Sequence, residues 1–146
     1  MSFFNAAGNT HVVADVVGYY AANGSRFHVL DTPARLLDDR IAVGLSGPWG
    51  PAQSRSLPVA GVGPIPGSAT ALTLNTAVTN ATAPSFITLY PDATPLPTTS
   101  NLNFAAGETT ANLTITKIAP TGAIAIYNTD GNVDIVADAA GYFAPT

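Results

Sequence analysis

Residues Ala123 to Phe143 read AIAIYNTDGNVDIVADAAGYF, two apolar, β-rich arms around a Thr-Asp-Gly-Asn centre. Gly and Asn accept the positive φ of a tight turn, so this text predicts a strand–turn–strand hairpin. Nearly the same text opens the chain: SFFNAAGNTHVVADVVGYYA, from Ser2 to Ala21. A constant shift of 123 positions superposes the two without a gap. Asn5 falls on Asn128, Gly8 on Gly131, Val13-Ala14-Asp15 on Val136-Ala137-Asp138, and Gly18-Tyr19 on Gly141-Tyr142. A fixed long period marks a repeat array. The expected organisation is a terminal hairpin of a preceding repeat over residues 1–22, followed by one complete repeat over 23–146.

The rest of the chain is read outward from that pair. In the first copy the turn falls at Ala6 to Asn9, and the second arm is largely apolar on both alternating faces. Such an arm is expected to be covered on both sides. Arg26 to Leu30, Ser54 to Val59, Ala71 to Asn80, Ser85 to Tyr90, Asn101 to Phe104 and Asn112 to Ile118 read as further strands, the last with Leu113 and Ile115 inward. Gly- and Pro-rich text over 44–66, apart from the strand at Ser54 to Val59, and over 91–97 reads as loop. No window carries a 3.6-residue apolar stripe. Eight to ten short strands with regular turns predict an all-β fold, a two-sheet antiparallel β-sandwich of Ig-like or jelly-roll-like type with almost no helix.

Composition narrows the function classes. The 146 residues suffice for one domain with a real core. Apolar residues make up an ordinary 47%, but only 10% are charged, well below the usual quarter. A net charge of −4, with Lys117 the single lysine, argues against nucleic acid as partner and against electrostatic binding to anionic membrane. No apolar run approaches a membrane span. The chain has no cysteine, which leaves neither disulfides nor thiolate metal sites. Text from Ser2 onward reads as strand, so any targeting signal is expected outside this chain.

Four stretches carry a family resemblance: PARLLDDR (Pro33 to Arg40), ALTLNTAVTNATAPSFITLYP (Ala71 to Pro91), SNLNFAAGETTANLTITKI (Ser100 to Ile118) and NVDIVADAAGYF (Asn132 to Phe143). In this order they resemble a tandem repeat of large secreted and cell-surface proteins of actinobacteria and related bacteria, where the text runs P-x-R-L-L-D-T-R, S-N-L-N-F-x-A-G-Q-T and V-A-D-V-x-G-Y-Y. The resemblance covers nearly the whole chain. It implies a β-sandwich module, strung into stalks or appended to enzymes, and an extracellular or cell-surface location. It brings no catalytic residue to carry over. Asp39 departs from the pattern, standing where that family has Thr.

Each candidate site has a structural and a functional reading. Arg35, Asp38 and Arg40, with Asp138 or its counterpart Asp15, are expected to form an ion cluster, because a carboxylate inside a buried arm, as Asp138 is placed here, requires a partner. The functional alternative is a polar ligand site. Trp49, among Pro and Gly, is either the anchor of a long loop or a glycan contact that stacks on a sugar ring. Asp130, Asn132 and Asp134 alternate like calcium-loop ligands, but Ile135 and Gly141 stand where that loop needs Gly and Glu, so a turn is the better reading. His11 and His28 are isolated, and nothing resembles a nucleophile elbow. Lys117, in phase with Leu113 and Ile115 and so read as pointing inward, could form an isopeptide cross-link with a nearby Asn beside Glu108, but a plain structural lysine is the better reading. Phe4, Val13, Asp15, Tyr19, Tyr20 and Tyr142 are the expected repeat-junction residues.

The leading expectation is a non-enzymatic structural repeat, a stalk, spacer or filament subunit with no cofactor or metal, whose partners are neighbouring copies in cis or in trans. The second is a carbohydrate-binding module holding a secreted enzyme to polysaccharide.

Overall fold

A computed structural model describes residues 1–145. Eight strands form two four-stranded antiparallel sheets packed as a sandwich. They are β1 (Arg26–Asp38), β2 (Gln53–Pro58), β3 (Ala71–Thr79), β4 (Ser85–Pro91), β5 (Leu102–Phe104), β6 (Thr110–Lys117), β7 (Ala123–Asn128) and β8 (Asp134–Ala144). One sheet has the order β1-β8-β3-β6, the other β2-β7-β4-β5. A single 3-10 turn, Asp39–Ile41, is the only helical element among the described residues. The all-β sandwich expected from the strand pattern is what the chain forms.

The C-terminal stretch is not a hairpin. β7 pairs with β2 and β4, whereas β8 pairs with β1 and β3. The segment is therefore an arch that crosses from one sheet to the other and supplies a central strand to each. Five residues, 129–133, separate the strands, against the two of a tight hairpin. Ile124 and Ile126 on one side and Ile135, Ala137 and Ala139 on the other all enter one core. The buried amide of Asn128 ties the arch, donating to the carbonyls of Gly50, Asp130 and Gly131. Gly131 adopts φ +60°, and a Cβ there would sit 2.8 Å from both Ala83 Cβ and Thr82 Oγ1. Only glycine fits.

Elsewhere β3 points Leu72, Leu74, Thr76 and Val78 inward, as its alternation requires. β1 runs on through PARLLD instead of stopping at Leu30, with register shifts against β8 between Val29 and Ala34 and between Arg35 and Leu37. The phase of β6 is opposite to expectation: Thr114 and Thr116 are buried, while Leu113 is 62% exposed and Lys117 points to solvent. Thr76 and Thr114 satisfy each other inside the sandwich through a 3.0 Å hydroxyl bond, which lets Thr114 take the inward phase at little cost, whereas the buried Thr116 hydroxyl has no partner.

Residues 1–25 form no strand. The first copy of the arch is an exposed arm, with Phe4 90% and Val13 86% accessible. Within this one chain the arm is covered on neither face, because the body already holds its own copy in the two central positions.

Candidate functional site

The charged cluster forms on the face of the β1–β8 pair, where the register sets Arg35 opposite Asp138. Arg35 grips Asp138 with two parallel bonds, Nε to Oδ1 at 2.9 Å and Nη2 to Oδ2 at 3.0 Å. Its third nitrogen, Nη1, donates to Asp38 Oδ2 at 3.0 Å. Arg40 closes on the same carboxylate, Nε to Oδ1 and Nη2 to Oδ2, both at 2.8 Å. All four expected members are brought together, but the buried one is Asp38, 1% exposed, and not Asp138, whose side chain is 25% exposed. Position on the outward phase of β8 leaves Asp138 in reach of water. The Arg40 hydrogen bonds, aided by the charges of Arg40 and Arg35, hold the Asp38 carboxyl below its usual range against the opposing effect of burial. Asp138 in turn raises Arg35, and Asp38 raises Arg40. The chain Asp138–Arg35–Asp38–Arg40 balances its own charge and fastens the end of β1 to β8 and the 3-10 turn.

Its neighbour Asp39 is a titratable group that the sequence did not single out. It is 2% exposed, and Oδ2 accepts the Ile135 N–H at 3.0 Å, while Oδ1 has no partner. Burial pushes its carboxyl up to about 6, the Ile135 N–H opposing and Asp134 adding to the rise. The only signal in the sequence was its departure from the Thr of the resembling repeat.

Trp49 has no exposed face. Its indole N–H donates to the Ile126 carbonyl at 2.8 Å, its backbone bridges Val133, and the Arg55 guanidinium lies 4.2 Å from the ring centroid. Arg55 also donates to the carbonyls of Gly47 and Ser46. The loop is thus riveted to the core through the Trp, and no sugar ring can stack there. Around the calcium-like triplet, Asp134 accepts from the Asn80 amide, and the Asp130 and Gly131 carbonyls face Asn128. Those groups serve the arch. His28 stacks on Tyr142, with centroids 5.0 Å apart.

The expected junction residues divide. Tyr142 is packed in the body, whereas Phe4, Val13, Tyr19 and Tyr20 stand open on the arm. Asp15 occupies the place of Asp138, yet no arginine pairs with it among the described residues. The arm nonetheless keeps the corner of the arch. Asn5 donates to the Gly8 carbonyl at 2.7 Å, the counterpart of Asn128 to Gly131 at 2.9 Å. Gly8 holds φ +66°, close to its twin. From Val17 to Ala21 the arm lines a groove of about 540 Å³ with Ala71, Ile115, Lys117 and Phe143 of the body.

Compared with protein-family models, with curated proteins and with solved structures, the chain matches none.

Proposed function

We propose that this chain is a non-enzymatic structural repeat of a bacterial secreted or surface protein, acting as stalk, spacer or filament subunit through contacts between copies. The observation that carries the reading is the arm. It is a second text of the two central strands, with its corner formed and its apolar residues open, in a body that has no vacancy for them. An apolar strand left exposed invites pairing with another chain or another copy. The arginine–aspartate chain supports a structural role because each of its charges is spent on a neighbour. The alternative of a carbohydrate-binding module loses the residue that suggested it, since Trp49 is wholly enclosed.

Deleting residues 1–22 tests the reading by sedimentation velocity and thermal melting across a concentration series. The expected result is that the intact chain associates as concentration rises, or melts higher than the deleted one. A pair of equally stable monomers at every concentration would overturn it.

A further inference from the structure

The link between the two copies lies within this chain, and its geometry constrains how copies follow one another. Ala21 aligns with Ala144, the last residue of β8, and Arg26 is the first residue of β1. In the folded body Arg26 and Ala144 are partners in the β1–β8 register. The chain therefore leaves a copy beside the point where it entered, at one pole of the sandwich. Only Ala22 to Ser25 lie between copies, and they fold back on themselves. The Gly24 N–H donates to the Ala21 carbonyl at 3.1 Å. That is the bond of a β-turn, which holds its first and fourth Cα atoms within about 7 Å. Thr70 pins the far end of the turn, its hydroxyl donating to Ser25 Oγ at 2.9 Å. Even fully extended, the five steps from Ala21 to Arg26 span no more than about 18 Å.

Resting on the repeat reading above, we propose that consecutive copies share one pole and pack side by side along the β6 edge, with no end-to-end stacking. The partner of that surface is a second copy of this sandwich, the one whose β8 is the arm. The arm marks its path. After the Val17–Ala21 groove, Asp15 to Val17 run on beside Tyr90, Pro91 and Thr116, so the preceding copy emerges sideways past β6. β6 is an edge strand of its sheet, and on its outer phase it shows Leu113 and Ile115 with only Lys117 as a guarding charge. Proteins that stay dispersed shorten, charge or cover such an edge, and with Lys117 as the one charge a neighbouring copy supplies the cover. Tyr19 and Tyr20, in the places of Tyr142 and Phe143, come to it with the incoming copy. An array built this way has its poles along an axis and its bodies radiating from it.

The test is a chain of three copies, made by extending this one twice with residues 24–146 and measured by small-angle X-ray scattering beside the single chain. An 11-residue β8 at about 3.4 Å per residue gives a body roughly 40 Å long, so three bodies end to end reach on the order of 120 Å or more. With shared poles and bodies side by side, each added body contributes only its width, and the maximum dimension stays below the roughly 80 Å that two splayed bodies would reach. Circular dichroism and melting amplitude per residue, equal to those of the single chain, establish that all three bodies are folded. The proposal expects the short dimension with three folded bodies, and a lengthening when Ile115→Asp is placed in each copy without loss of folded signal. Three folded bodies spanning the long dimension would overturn the shared pole and leave the repeat reading standing. If the added copies contribute no folded signal, the repeat reading fails and the shared pole falls with it.

Discussion

Two adjacent carboxylates answer acid in opposite directions, because one is buried with guanidinium partners and the other almost without partners. Asp38, paired with Arg40 and Arg35, is held below its unfolded value. Its contribution to stability is present above that unfolded value and is lost as pH falls through the folded one. Asp39 is raised from 3.8 to about 6. Its protonated form favours the fold below 3.8, and that contribution disappears as pH rises through 6. Asp39→Asn is therefore expected to melt higher relative to the parent at pH 7 than at pH 4, by several degrees in the difference. A difference that stays flat between these pH values would show that Asp39 does not titrate in this window. Asp38→Asn, by the same linkage, should lose stability at pH 7 and weaken the acid limb of the profile. Trp49 belongs at this scale too. Removing a fully enclosed indole typically costs about 3–5 kcal/mol, so Trp49→Ala should lower the melting temperature sharply. In the parent its fluorescence should resist acrylamide and ignore glycans; quenching on glycan addition would restore the binding reading.

At the scale of elements, the arch and the arm provide a controlled pair. Gly131 and Gly8 both adopt positive φ, but a Cβ on Gly131 collides with Ala83 and Thr82, while one on Gly8 meets nothing within 4 Å. Gly131→Ala should destabilise the body by more than the roughly 1–2 kcal/mol of a left-handed backbone alone. Gly8→Ala should leave the body's melting unchanged. Equal effects would mean that the arm is as embedded as the arch. The same pair shows what the sequence disclosed. The strands were legible in their alternation, and β3 even in its facing. The arch was not, because two apolar arms around a Gly-Asn turn read alike whether they pair with each other or part to opposite sheets; the choice belongs to β1, β2, β3 and β4. The phase of β6 was hidden for a related reason, since Thr114 and Thr76 exchange a hydrogen bond that only the folded pairing creates. In the charged cluster the members were legible because a carboxylate in an apolar arm needs a partner, but which carboxylate is buried depended on the bulges between β1 and β8.

For the whole molecule, nearly identical text has two fates, and amide exchange separates them. Val136, Ala137 and Asp138 lie in a central strand bonded on both sides, whereas Val13, Ala14 and Asp15 lie in no strand at all. Protection in a central strand rises toward the free energy of global unfolding, while an unpaired segment exchanges almost as fast as an unfolded peptide. The single chain at low concentration is therefore expected to show β8 amides among its slowest and the corresponding arm amides among its fastest, despite matching side chains. Local sequence cannot produce that contrast; only the body that surrounds one copy can. In the three-copy chain the internal arms acquire such a body, and their amides should slow by orders of magnitude toward the β8 value. Only the first arm should stay fast. Arm amides in the single dilute chain as slow as those of β8 would instead mean that the arm is held in a sheet and not exposed.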